Sequence, residues 1–152
     1  MFKLSERSRK SLSTVLPVMT KLLEGALADP NCPYDVVVTE GGRTLKRQKE
    51  LYAQGRFGNK GPKVTWTKPE NSKHLIRADG YGRAIDLAIC GYLGADGKYV
   101  KISTNKGMYD SKKLKIFAAF FIKYSKERGV QIAWGGNWVS TKDTPHFEIQ
   151  NL

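Results

Sequence analysis

Ala84-Ile85-Asp86-Leu87-Ala88-Ile89 is the stretch around which the chain organises itself. Its short alternation of branched and small residues predicts a strand. Successive side chains on a strand point to opposite faces. Ile85, Leu87 and Ile89 therefore share one face, and Ala84, Asp86 and Ala88 the other. The bulky face belongs in a core. The face of small residues leaves open space around the Asp86 carboxylate.

Downstream, Tyr92 to Ile102 carries Gly94-Ala95-Asp96-Gly97 at its centre and reads as a β-hairpin. Lys112 to Arg128 is the strongest helical pattern, with Leu114, Phe117, Ala118, Phe121 and Ile122 as its apolar stripe and lysines on its solvent face. Asp110 or Ser111 caps it and Gly129 closes it. Val130–Trp134 and His146–Gln150 predict two further strands, parted by a turn at Gly135-Gly136. Upstream, Tyr34–Thr39 predicts a strand and Gly41-Gly42 a loop. Leu45–Gln54 reads as a short helix stopped by Gly55, with Leu45, Gln48, Leu51 and Tyr52 on one side. Residues 55–71, rich in Gly, Pro, Lys and Asn, read as a long loop, more often functional than accidental in a compact domain. Near the N-terminus, Leu12, Val15, Leu16, Met19, Leu22, Leu23 and Ala26 recur at helical spacing. Pro17 is expected to split that segment into helices over roughly 5–15 and 18–28. The expected fold is α+β: a small antiparallel-rich sheet packed against the N-terminal helices and one long helix in the C-terminal half. A length of 152 residues without repeats or linkers points to a single domain over residues 1–152, with no separate binding domain expected.

Basic residues outnumber acidic ones by 26 to 14, giving a net charge of +12. That surplus implies an anionic partner: nucleic acid, membrane phosphates or acidic envelope polymers. Two cysteines, Cys32 and Cys90, make no disulfide framework; a reduced pair is the expectation, with one bridge left open. Cys90 lies four residues past Asp86, about 13 Å along a strand, and reads as a small core residue. The basic N-terminus is not followed by an apolar run, so no secretory signal peptide is expected. No apolar run is long enough to span a bilayer.

The chain has two histidines, His74 and His146, each in a segment that also supplies a carboxylate. His74 lies in the loop before the Asp86 strand. If Phe147 and Ile149 face the core, His146 and Glu148 face the other side of the last strand. Should those strands be neighbours, His74, Asp86 and His146 converge. Two imidazoles and a carboxylate, with an open position for water and a nearby acid, are the inventory of a catalytic zinc site, which brings the pKa of water towards ~7. Asp143 precedes His146 across a turn stiffened by Pro145 and is the preferred general base. Glu148 is placed instead for a hydrogen bond to a histidine.

Ser72-x-His74, Gly82-x-Ala84-x-Asp86 and Trp138-x4-Asp143-x2-His146 together resemble the zinc peptidase family of D-alanyl-D-alanine carboxypeptidases and L-alanyl-D-glutamate endopeptidases. Trp134-Gly135-Gly136-Asn137-Trp138 and Asp143-Thr144-Pro145-His146-Phe147-Glu148 are most similar to its bacteriophage endolysins. Upstream, Thr39-Glu40-Gly41-Gly42-Arg43-Thr44, then Gln48, Leu51-Tyr52 and Gly55-Arg56, resemble the family's substrate-side segment. The resemblance implies a zinc endopeptidase that cuts the L-alanyl-D-glutamate bond of peptidoglycan and lyses the bacterial wall. Its ligands would be His74, Asp86 and His146, its base Asp143. Arg43 would hold the scissile carbonyl oxygen as charge develops. Ser72 and Gln48 would be secondary substrate or scaffold contacts. Trp66, Trp134 and Trp138 are candidates to line a groove, with core packing the default for Trp134.

One departure from the pattern stands out. Seven residues separate His74 from Gly82, where the family usually has two. The insertion is expected to bulge as a loop, and it makes Asp79 a rival ligand to Asp86. Asp86 is preferred because it sits on the strand that matches the motif. A D-alanyl-D-alanine carboxypeptidase is the neighbouring alternative. A basic nucleic-acid-binding module is the alternative from another class, although no helix-turn-helix, zinc-finger or RNA-recognition signature is present and no specific nucleic acid is expected. The endolysin resemblance further implies a monomer. It would be held in the host cytoplasm until a holin releases it, and drawn to the envelope by charge.

Overall fold

The computed structural model describes residues 1–65 and 67–152. Among them, helices and strands run in the order α1 (Glu6–Leu12), α2 (Pro17–Ala28), β1 (Asp35–Glu40), α3 (Leu45–Ala53), β2 (Ala84–Leu93), β3 (Tyr99–Lys101), α4 (Asn105–Met108), α5 (Ser111–Lys126), β4 (Ile132–Trp134) and β5 (His146–Ile149). Short 3-10 turns occur at Pro69–Asn71 and Gly135–Asn137. The sheet has the order β1-β2-β5-β4, β3 pairs with the far end of β2, and every pairing is antiparallel. This is the expected α+β fold.

Alternation along β2 and β5 builds the core. Ile85, Leu87, Ile89, Phe147 and Ile149 are sealed against Leu12, Met19, Leu23 and Leu27 of the N-terminal helices and Leu114, Phe117 and Phe121 of α5. Fully burying each such side chain stabilises the fold by roughly 1.5–3 kcal/mol. Phe117, Phe121 and Phe147 form a ring cluster with centroids 5.8–6.1 Å apart, pinning α5 to β5. The buried Ser8 hydroxyl accepts from the Val38 amide at 2.9 Å, which fastens α1 to the edge strand β1.

Side-chain chemistry sets the boundaries. Pro17 occupies the first turn of α2, where its missing N–H costs nothing, so it starts a helix instead of kinking one. α1 ends at Leu12, short of the expected residue 15. Ser13 and Thr14 turn their hydroxyls onto the carbonyls of Lys10 and Ser11, and Val15 leaves to bridge Gly82. Asp110 caps α5 by accepting from the amides of Lys112 and Lys113 at 2.9 and 3.0 Å. β2 runs on to Leu93, beyond the expected Ile89, because β3 pairs with its end. The four-residue α4, capped by Thr104, has no apolar period by which sequence reading finds a helix. Leu45 is exposed, so α3 buries less of its expected face. Both cysteines are free; Cys90 is half-buried rather than in the core.

Candidate metal centre

The β2–β5 register sets Asp86 directly opposite His146, and Ala84 opposite Glu148. Because Ile85 and Phe147 point into the core, all four alternate residues lie on the other face. Ala84 is small enough to leave room for Glu148 beside it. The Asp86 strand and the last strand are therefore neighbours, as convergence of the three side chains requires.

His74 comes from a loop fixed by backbone bonds on both sides. The Arg43 amide donates to the His74 carbonyl at 2.6 Å, and the Ile76 amide returns to the Arg43 carbonyl at 2.8 Å. The Arg83 amide donates to the Lys73 carbonyl at 2.7 Å, and Ser72 Oγ accepts from the His74 amide at 3.2 Å. Gly82 permits this close approach: a Cβ there would lie 2.9 Å from the His74 carbonyl oxygen and 3.1 Å from Gly42 Cα.

Three donor atoms meet. His74 Nε2 lies 3.1 Å from His146 Nδ1 and 3.3 Å from Asp86 Oδ1, and His146 Nδ1 lies 3.5 Å from Asp86 Oδ1. Donors of a tetrahedral ion with bonds of about 2.0–2.1 Å are about 3.3 Å apart, so the triangle fits one face of such a site. The outer ring nitrogens are tied down. His74 Nδ1 donates to the Gly41 carbonyl at 2.8 Å, and His146 Nε2 donates to Glu148 Oε1 at 2.9 Å. With the ring neutral, each bond selects the tautomer that turns an unprotonated nitrogen towards the triangle, the arrangement of metal-ligating histidines. Asp86 Oδ1 is buried and makes no well-formed hydrogen bond among the described residues, an orphaned acceptor that a cation would satisfy. The residues fit a metal ion.

Electrostatics point the same way. Burial pushes the Asp86 carboxyl up, but His146 and His74 overcome it and hold Asp86 well below the usual carboxylate range. Burial pushes the His146 imidazole down, yet Asp86 and Glu148 more than reverse this and raise it to about 9. Below that pH the metal-free protein keeps a proton on His146, and a metal ion has to displace it. Metal affinity is therefore expected to rise about tenfold per pH unit towards pH 9, with about one proton released per ion near neutrality. Competition against a chromophoric chelator between about pH 6 and pH 8 reads this slope. An affinity independent of pH contradicts it.

A cleft of about 530 Å³ opens over the triangle. Arg43, Ser72, Trp138, Lys142 and Asp143 line it, with Val64, Thr65 and Thr67 from the long loop. The Trp138 ring lies 5.0 Å from that of His146. Asp143 is held by its amide bond to the Gly135 carbonyl at 3.1 Å, and the His146 amide bonds back to the Asp143 carbonyl at 3.1 Å. A Cβ on Gly135 would overlap the Asp143 carbonyl oxygen, which explains a glycine at that turn. Burial first, then the charge of Asp86, raises the Asp143 carboxyl above its ordinary range.

The model of one protein family, Phage L-alanyl-D-glutamate peptidase, matches residues 1–151. The chain belongs to that family. Among curated relatives of this phage-peptidase chain, the peptidoglycan L-alanyl-D-glutamate endopeptidase CwlK of Bacillus subtilis (strain 168) is 36% identical over 124 residues. That match takes in 80% of this chain and 65% of CwlK, so the chain spans less than two thirds of that relative. The L-alanyl-D-glutamate peptidase of Escherichia phage T5 is 30% identical over 152 residues, covering 98% of this chain and 90% of the relative. Among solved structures, the Serratia marcescens L-Ala D-Glu endopeptidase ChiX shares the fold. Its TM-score is 0.66 at 24% identity, over 98% of this chain and 90% of ChiX.

In this phage-peptidase family member the seven-residue interval forms a tight loop, closed by the Arg77 amide on the Tyr81 carbonyl at 3.1 Å. Asp79 is exposed there and pairs with Arg83 at 2.7 and 3.0 Å, so it is Asp86 that stands beside the histidines. Of the two roles expected for Gln48, substrate or scaffold contact, the geometry fits the second. It is fully buried and does not line the cleft; its Oε1 accepts from Arg43 Nη1 at 3.3 Å, making it a scaffold for Arg43. Glu40 shares that task at 2.8 Å from Arg43 Nε, a role the sequence reading missed because the pair spans a strand end and a glycine loop, where spacing alone sets no contact. Arg43 Nη2 also reaches Asp86 Oδ2 at 3.5 Å. Trp134 is buried, its Nε1 donating to the Thr144 carbonyl at 2.6 Å. The expectation for Trp66 lies outside the described residues.

Proposed function

We propose that the chain is a zinc-dependent endopeptidase that hydrolyses the L-alanyl-D-glutamate bond of peptidoglycan stem peptides. The observation that carries this reading is the donor triangle of His74, Asp86 and His146, with both outer nitrogens already bonded and an acid and an arginine in the cleft above. Two imidazole nitrogens and one carboxylate oxygen suit zinc, which His74, Asp86 and His146 would hold beneath the cleft. Bound there, zinc would supply Lewis acidity, activating water near neutral pH and polarising the scissile carbonyl.

The chain's own groups do the rest. The Asp143 carboxylate accepts a proton from the attacking water and later delivers it to the leaving amine nitrogen of D-glutamate. Its raised pKa brings it closer to neutral working conditions; the charge of a bound cation pulls it partly back. Arg43 has five N–H donors, of which three face Glu40, Gln48 and Asp86. The remaining two are free to donate to the carbonyl oxygen as it gains negative charge. Because Glu40 and Gln48 fix the guanidinium beforehand, little reorganisation is needed at the moment of reaction. Ser72 holds the His74 loop from the cleft wall. We propose in addition that the protein acts as a monomer, that its basic surface draws it to anionic envelope polymers, and that it stays in the host cytoplasm until a holin opens the way.

Digestion of purified muropeptides followed by mass spectrometry tests the reading. A new free D-glutamate amine is expected, abolished by a chelator and restored by zinc. Release of terminal D-alanine instead identifies a carboxypeptidase, and intact muropeptides refute both.

A further inference from the structure

A second cleft, of about 600 Å³, lies next to the first and shares Trp138 and Lys142 with it. Three of its ten lining residues are lysines (Lys112, Lys115 and Lys142) and none is acidic. Trp134 and Trp138 give it aromatic walls. Among the described residues no carboxylate forms an ion pair with any of the three lysines; nearby Asp110 pairs with Lys113 at 3.8 Å and spends Oδ1 on the α5 cap. The catalytic cleft is different: it mixes Asp86, Asp143 and Glu148 with Arg43, Lys73 and Lys142. The four lining residues that the first cleft takes from the end of the long loop, Val64, Thr65, Thr67 and Asn71, carry no charge.

We propose that this basic cleft binds the carboxylate-bearing part of the stem peptide downstream of the scissile bond, and so fixes the direction in which the peptide crosses the metal centre. The inference rests on the endopeptidase reading. Its chemical basis is an asymmetry of the substrate. Glutamate has two carboxyl functions, α and γ, and only one enters the next peptide bond. Unless it is amidated, the other stays a free carboxylate on the residue after the cut, and the end of the peptide adds another. The alanine before the cut adds none. Negative charge lies on one side of the bond, and the second cleft offers positive charge without competing acids on one side of the triangle. Lys142, on the ridge common to both clefts, faces the carboxylate nearest the cut. Lys112 and Lys115, one helical turn apart on α5, take the more distant one. A cleft of this size holds a short peptide segment.

The test pairs charge on the protein with charge on the substrate. Two synthetic peptides share the L-Ala–D-Glu bond; in one the carboxylates beyond it are free, and in the other they are amidated. The wild-type holoenzyme is expected to cleave the free-acid peptide with kcat/KM about tenfold higher, mostly through KM. The variant Lys112→Glu/Lys115→Glu, on the exposed face of α5 away from the metal ligands, is expected to lose that preference while cleaving the amidated peptide as wild type does. A variant that keeps the wild-type preference overturns the proposal. So does a variant that treats both peptides normally but fails on whole sacculi, which assigns the lysines to another anionic polymer. If wild-type enzyme cleaves neither peptide, the endopeptidase reading itself is at fault.

Discussion

Asp143→Asn is expected to lower kcat by about 10³-fold, within the range for removing a general base, while metal content and fold stay as in the wild type. Asparagine keeps the shape and can still accept a hydrogen bond, but it has no carboxylate to take a proton. The side chain is not among the three donors that meet in the candidate triangle of His74, Asp86 and His146. Its backbone is fixed from Gly135 and towards His146, so an isosteric change leaves the turn in place. Metal analysis of the purified variant, with single-turnover cleavage of a defined peptide, separates the outcomes. Loss of metal together with activity would move Asp143 into the coordination sphere. Near-normal kcat would leave the proton to another group, with Glu148 the next carboxylate in the cleft.

His146→Ala is expected to abolish stoichiometric metal binding and reduce activity by at least about 10³-fold, since a Lewis acid at this position is worth several kcal/mol in the transition state. The loss has a structural side too. In the metal-free protein His146 holds charge between Asp86 and Glu148. Its removal leaves two carboxylates facing an empty space, at a cost of about 3 kcal/mol in stability. Circular dichroism and thermal unfolding of the metal-free proteins read that term separately from activity. Glu148→Gln grades the same series: the histidine ligand stays but loses its anionic acceptor, so metal affinity should weaken about 10- to 100-fold without vanishing. Full metal retention and full activity in His146→Ala would refute the proposed centre.

Much of this was legible along the chain because alternation is local. Ile85, Leu87 and Ile89 against Ala84, Asp86 and Ala88 assigns both faces of β2 from six residues, and Phe147 and Ile149 do the same for β5. The α5 stripe, the Asp110 cap and the stops at Gly55 and Gly129 are equally local. Pro17 was harder, since proline ends one helix and begins another by the same missing donor; only the departure of Val15 to pair with Gly82 shows which happens. Gln48 stood open between substrate and scaffold contact because it lies in the segment that resembles the family's substrate side. Its burial beneath Arg43 depends on how α3 packs.

The sequence by itself determined the donor inventory, the strands that carry it and the resemblance that orders it, because these depend on residue type and short-range period. Only the tertiary structure decided which acid joins the histidines. Asp79 and Asp86 are equally good carboxylates, but a five-residue excess of chain lets Asp79 curl back onto Arg83, while antiparallel register holds Asp86 opposite His146. The tertiary structure also decided the surroundings of the lysines of α5. A charged helix face reads as solvated until packing sets it beside Trp134, Trp138 and Lys142, where like charges without acids make a cleft instead of a surface.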